Sequence, residues 1–336
     1  MTRSYVATPS LDRRGFLGGS AAVAAATLGG VRVTGAAQAQ ATRDAQPTFY
    51  RTTTVADLTI FYREAGDPSA PTILLLHGFP SSSHMFRDLI PLLADRFHLV
   101  APDYPGFGRS DAPAANEFAY TFDHLADVME GFVDAMELDS YSLYVQDFGA
   151  PVGFRLATRR PSQIASLIVQ NGNAYEEGIT DLVRPQLVAF GERPRTALSE
   201  QPVRNIFTLE STIFQYTEGV RDRARISPDA WTVDQVFLDR PGNDEIQLSL
   251  FHDYHSNLER YPEWHAYFRE SQPPTLIVWG KNDPIFGAPG AEAFRNDLPE
   301  AEIHLLDTGH FALEDHATAI AEHIGRFLSL HIDGTS

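Results

Sequence analysis

The chain of 336 residues contains no cysteine and one lysine, Lys281. The first absence excludes disulfides, thiolate metal ligands and a cysteine nucleophile. The second leaves Lys281 as the sole candidate for a catalytic amine. Basic residues are scarce overall: 26 Lys and Arg stand against 44 Asp and Glu, a formal charge of −18. That balance argues against a basic field for nucleic acid or for an anionic membrane surface. Repeats of solenoid type are absent as well. What is present is an ordinary hydrophobic share, 43%, enough at this length for one large core with an inserted lid or for two smaller domains.

The first forty residues differ from the rest. Arg13 and Arg14 precede Gly-Phe-Leu, an Ala/Gly-rich apolar run follows, and "GAAQAQ" supplies small residues at Ala37 and Ala39. Charge, apolar stretch and small-residue site, in that order, are the layout of an export signal. The paired arginines resemble the twin-arginine signal, which implies export of folded protein by the twin-arginine machinery, cleavage after Ala39 and a periplasmic or secreted product. The alternatives are a disordered tail or a membrane anchor. An anchor needs about 20 strongly apolar residues, and this run is diluted with glycine and interrupted by Arg32. The mature form is therefore expected to lack a membrane anchor. Its oxidising compartment suits a chain without thiols.

Beyond that segment, strand and helix patterns alternate. "TFYRTTTVADLTIFYREAG" predicts two short strands ending at Gly66. "TILLLHG", "FHLVAPD", "YSLYVQD" and "ASLIVQNG" are apolar runs of the kind found in strands covered on both faces. Between them, Ser81 to Ser83 can cap a helix carrying Met85, Phe86, Leu89 and Leu92, and "FDHLADVMEGFVDAMEL" and "GAPVGFRLATRR" show helical spacing. The alternation breaks after Asn173 and resumes with "PTLIVWG", "PGAEAFRNDL", "AEIHLLDTGH" and "ATAIAEHIGRFLSL". The fold class expected is α/β: a mostly parallel sheet with helices on both faces. Its core would span 46–173 and 263–332, with a helical lid, 174–262, inserted between core strands. The aromatics of the insert, among them Phe190, Phe207, Trp231 and Phe251, are expected mainly to pack it on the core.

In open parallel sheets the reactive groups gather at the carboxyl ends of the strands. Asp147 ends "YVQD", Asp283 follows "IVWGKND", and His310 follows "HLLDTGH". Any one of them alone reads as a turn residue. Together they stand in the order nucleophile, acid, base of a hydrolase triad, each at a strand end. "HGFP", His77 to Pro80, occupies the place of an oxyanion-hole loop. There the backbone N–H of Phe79 is expected to act, with His77 supporting the turn. "DYPGFGRSD" is a second glycine-rich turn, but it lacks the glycine pattern and lysine of a phosphate cradle and reads as structural. No cofactor and no metal site is expected.

"HGFP", "APDYPGFGRSD", "VQDFG", "GKNDPIF" and "TGHFALED" together resemble the α/β-hydrolase fold superfamily, in its branch of epoxide hydrolases and haloalkane dehalogenases with an aspartate nucleophile. The resemblance covers Gln46 to Ile332. "QNGNAYEEG" and "LFHDYHSNLERYP" are similar to small bacterial and fungal hydrolases described as epoxide hydrolases.

The aspartate at the turn decides the chemistry. A carboxylate displaces a leaving group from saturated carbon and becomes an ester of the enzyme; water activated by His310 then attacks the ester carbonyl. The oxyanion would form on Asp147 beside the N–H groups of Phe79 and Phe148, and Asp283 would orient the histidine. The substrate expected is a small apolar molecule. An epoxide requires a proton for its departing oxygen. The resemblance implies lid tyrosines for that role: Tyr254 first, Tyr216 as its partner, Tyr175 in reserve. A halide requires N–H donors, yet the side chains at Phe148 and Phe79 donate nothing. The sequence therefore favours an epoxide hydrolase over a haloalkane or haloacid dehalogenase. No arginine directly follows Asp147, against the haloacid type. A binding protein on the same fold is the non-enzymatic alternative, and it would be expected to have lost a triad member.

Overall fold

The structure, a computed structural model, describes residues 46–332. The expected signal, with Arg13, Arg14 and the cleavage site at Ala39, lies outside the described residues. Eight strands form one sheet: β1 (Phe49–Val55), β2 (Leu58–Ala65), β3 (Thr72–Leu76), β4 (His98–Pro102), β5 (Tyr141–Gln146), β6 (Ile164–Gln170), β7 (Thr275–Gly280) and β8 (Glu302–Leu306). Their spatial order is β1-β2-β4-β3-β5-β6-β7-β8. β2 runs antiparallel to β1 and β4; from β4 to β8 every pairing is parallel.

The two-residue period of a strand divides the apolar runs between two cores. Leu74, Leu76, Leu143, Val145, Leu167 and Val169 enter one cluster, with α2 (Phe122–Ala135) and α3 (Gly149–Arg159). Ile73, Leu75, Tyr144, Ile168, Leu276 and Val278 point to the other, which is covered by α1 (Ile90–Leu93) and α11 (Leu313–His331). This is why the central runs are unbroken in apolarity while each face is served by every second residue. Thr121 caps α2, its side chain accepting from the His124 N–H. Ser82 plays the same part for a 3-10 turn, Ser83–Phe86. That turn is separate from α1, so Leu92 does not continue an inward stripe and is exposed.

Between β6 and β7 the chain forms α4 (Arg184–Leu187), α5 (Ala197–Arg204), α6 (Leu209–Thr217), α7 (Pro228–Leu238), α8 (Asn243–Asp253) and α9 (His255–Ser271), without a strand among the described residues. The boundary expected at 262 falls inside α9. The reason is packing: Trp264 and Phe268 of α9 lie 5.4 and 5.3 Å from Phe154 of α3, ring centre to ring centre. The second half of α9 is therefore part of the core layer. A short α10 (Ala288–Ala293) follows β7. No helix among the described residues is long and apolar enough to cross a membrane.

Candidate active site

Registry places the site. Leu76 of β3 pairs with Val145 of β5, so the chain leaving β3 and the turn leaving β5 emerge side by side. Asp147 sits on that turn with φ of +49°, in the left-handed region. For a residue with a side chain this conformation is strained; it directs the carboxylate out of the strand end as the helix α3 begins. The surroundings are close enough to require glycine: a Cβ on Gly149 would lie 2.2 Å from the Leu76 carbonyl oxygen, and one on Gly78 would lie 2.3 Å from the Asp147 Cβ.

The Phe79 backbone N–H donates to Asp147 Oδ1 across 2.7 Å, and the Phe148 N–H also favours the ionised carboxylate. Burial pushes the Asp147 carboxyl above its ordinary range; His310 and these two N–H groups oppose it. His310 is fully buried. Its Nδ1 is 2.7 Å from Asp283 Oδ2 and its Nε2 is 3.7 Å from Asp147 Oδ2. Desolvation alone would lower its pKa, but the Asp283 and Asp147 carboxylates outweigh it and the net shift is upward. Asp283 is held on further sides: Asn171 Nδ2 donates to Oδ2 at 2.8 Å and the Ile285 N–H to Oδ1 at 2.7 Å. Such a carboxylate fixes the ring and its tautomer. The three residues read as a triad from the sequence thus lie together, with the Phe79 and Phe148 N–H groups beside the Asp147 carboxylate.

His77 has the supporting part expected of it. Nε2 accepts from the Tyr104 N–H at 3.2 Å, and Nδ1 lies 3.1 Å from the Gly78 carbonyl. Burial lowers its pKa to about 4, so it stays neutral. Asp103 accepts from the N–H groups of Ser83 and Arg109, which makes "DYPGFGRSD" a turn clamp.

Asp147 opens into a cavity of about 250 Å³ beside the helical insert between β6 and β7. Phe79, Phe148, Leu187, Phe214 and Phe251 line it, and its polar groups besides Asp147 are Gln186, Ser211 and Gln215. The size is below the roughly 300–1,000 Å³ usual for drug-sized ligands. None of the three candidate tyrosines lines this cavity. Tyr216 corrects the expectation most clearly. Its hydroxyl donates to Asp234, with Ser81 on the same carboxylate at 3.3 Å, and its ring stacks on Phe311 at 4.0 Å. One residue along a helix is a turn of about 100°, so Gln215, its neighbour, faces the cavity instead. Tyr175 donates to Asp297 at 2.8 Å and stacks on His265. Tyr254 is buried behind Phe148, with ring centres 5.9 Å apart, and its edge contact with Phe122 is at 5.7 Å. Desolvation raises its phenol well above the usual value, and the Asp147 charge adds to this.

Sequence reading missed Asn171 and Gln146. Asn171 is the residue immediately after β6, at a strand end like the triad residues, and the same rule applied to every strand finds it. Gln146 is masked by its position inside an apolar run; only its polarity at a fully buried strand position marks it.

A hydrolase of the α/β fold is what this sheet, strained turn and triad define. The family model described as alpha/beta hydrolase fold matches residues 71–317, and the chain belongs to that family, in the branch that resembles haloalkane dehalogenases. It is 43% identical over 267 residues to an uncharacterized hydrolase of Saccharomyces cerevisiae, covering 79% of this chain and 91% of that one. It is 37% identical over 292 residues to a haloalkane dehalogenase of Psychrobacter cryohalolentis, covering 81% and 88%. The crystal structure of a haloalkane dehalogenase from Bradyrhizobium elkani superposes with a TM-score of 0.73 over 86% of this chain and all of that one, at 24% identity, a likeness of fold.

Proposed function

We propose that the protein hydrolyses small apolar compounds carrying a leaving group on saturated carbon, through an ester on Asp147, and that the leaving group is a halide. Asp147 Oδ2 attacks the carbon from behind, the carbon–halogen bond breaks, and halide departs with the bonding pair. Water then loses a proton to His310 Nε2 and adds to the ester carbonyl, whose oxygen gathers charge beside the Phe79 and Phe148 N–H groups. Collapse releases the alkoxide, which takes the proton back from His310 and leaves as an alcohol; Asp147, left as a carboxylic acid, gives its proton to solvent and is again a carboxylate. The product side is one alcohol, one halide and one proton for each water consumed.

The observation that carries the choice of leaving group is the lining of the cavity. Back-side displacement sends the leaving atom away from Asp147, toward the lid. There the polar groups are the Gln186 and Gln215 amides and the Ser211 hydroxyl. The Gln186 N–H groups are taken by the Leu182 and Val183 carbonyls. That leaves the Gln215 Nε2, without a hydrogen-bond partner, and the Ser211 hydroxyl as donors, and neither gives up a proton near neutral pH. A halide needs nothing more; an epoxide oxygen needs an acid. The relative from Psychrobacter cryohalolentis, named a haloalkane dehalogenase, supports the same choice. A haloacid fits less well, since no arginine or lysine lines the cavity. The epoxide reading retains one supporting observation, the influence of the Asp147 charge on the buried Tyr254 phenol. Assay of halide and diol side by side, on 1-bromobutane and 1,2-epoxybutane, separates the two. Halide release is expected; diol formation without halide release overturns the choice. Export by the twin-arginine route belongs to the proposal and rests on Arg13 and Arg14; replacing both with lysine is expected to leave unprocessed precursor.

A further inference from the structure

Gln146 is the last residue of β5 and is fully buried. Its Nε2 lies 3.0 Å from His310 Nε2, and its Oε1 is buried without a hydrogen-bond partner. Gly78 packs so closely that a Cβ there would lie 2.4 Å from that oxygen. The tautomer of His310 follows from its other side. Asp283 is a carboxylate and accepts only, so the Nδ1 facing it carries the proton. Nε2 then presents a lone pair, and the Gln146 N–H donates to it.

We infer that Gln146 is a positioning residue for His310, whose amide holds the resting base by its N–H and turns over to hold the imidazolium by its oxygen. When Nε2 takes a proton from the attacking water, an N–H of His310 faces an N–H of Gln146, two donors against each other. Rotation of the terminal amide by half a turn sets Oε1, the acceptor with no other partner, against the new proton. When the alkoxide reclaims the proton, the amide returns. The amide thus keeps the ring in one place in both charge states, and no atom of Gln146 enters the reaction. The charged groups facing His310 are Asp283, from the loop after β7, and Asp147, from the turn after β5; both favour the imidazolium. The donated N–H of Gln146 holds the neutral ring, and the bond that Oε1 accepts from the imidazolium, being charge-assisted, is the stronger of the two.

The inference rests on His310 acting as the base of the proposed ester hydrolysis, so its first test uses no substrate. Imidazole titration followed by NMR on the intact protein is expected to show the His310 midpoint move downward by about one pH unit in Gln146→Leu, because the charge-assisted bond to Oε1 is lost. In Gln146→Glu, where a carboxylate replaces the amide, it should move upward. An unchanged or raised midpoint in Gln146→Leu overturns the inference, whatever the substrate proves to be. The second test reads the reaction. Gln146→Glu treated with 1-bromobutane should accumulate the butyl ester at neutral pH, seen by intact mass, and clear it as the pH is raised. Loss of turnover that no pH restores, in a variant with wild-type circular dichroism, contradicts a role through the charge of His310. If Gln146→Glu does not fold, the titration of Gln146→Leu decides alone.

Discussion

The backbone N–H of Phe79 donates to Oδ1 of Asp147 across 2.7 Å. In the proposed mechanism the same donor would serve two states. In the resting protein it favours the ionised form of a buried carboxylate, as a nucleophile must be. With Oδ2 esterified, Oδ1 would be the carbonyl oxygen that gains charge in the second step, and the donor is already in place.

Replacing Asp147 by alanine is expected to remove turnover by a factor on the order of 10⁴ or more, as for loss of the nucleophile in other covalent hydrolases. Halide release and circular dichroism measured on the same sample check that the loss is chemical.

The tyrosines make opposite predictions. Tyr216→Phe leaves Asp234 buried with one donor fewer, a cost of about 1–3 kcal/mol. It should lower the urea midpoint while sparing halide release per folded molecule. Tyr254→Phe removes a hydroxyl that does not line the cavity and should change halide release less than about threefold, where loss of a general acid costs ~10²–10⁴-fold. A large loss of diol formation in Tyr254→Phe, in a protein that releases no halide, would restore the epoxide reading.

Much of this site was legible in the sequence because strand ends in a parallel sheet converge. Asp147, Asp283 and His310 each close an apolar run, and β5, β7 and β8 bring those closures to one edge. The lid was less legible. Its helices follow one another without the alternation that fixes a strand's face, and one residue decides which side chain reaches the cavity: Gln215 lines it while Tyr216 is tied to Asp234. Aromatic content could not locate the end of the lid either, because Trp264 and Phe268 belong to the core layer against Phe154.

Activity should fall on the acid side. The His310 pKa is raised from its ordinary 6.5 by Asp283 and Asp147, against desolvation. The base works only when neutral, so the second step should fade as pH drops through the His310 midpoint; in the ester Asp147 has lost the charge that helps raise it, so that midpoint should lie below the resting protein's. A pH series of single turnovers should show ester persisting at lower pH. An ester-state midpoint above that of the resting protein would contradict the carboxylate environment.

Asp234 should give stability its own pH dependence. Burial pushes its carboxyl from the ordinary 3.8 up to about 7, with Tyr216 and Ser81 opposing. The folded protein thus keeps a proton that the unfolded chain releases. Stability from this group is full below 3.8, falls as pH rises toward about 7, and is level above. Asp234→Asn should flatten that slope by an amount on the order of a few kcal/mol between pH 4 and 7, as read from urea midpoints.

The covalent ester on Asp147 is the central claim, and trapping it is the most direct test. His310→Gln removes the base of the second step and leaves the nucleophile. Incubated with 1-bromobutane, that variant should release one bromide per protein and gain the mass of one butyl group, on a peptide containing Asp147. Bromide release that continues without an adduct, or neither bromide nor adduct where the wild type turns over, would contradict the two-step mechanism.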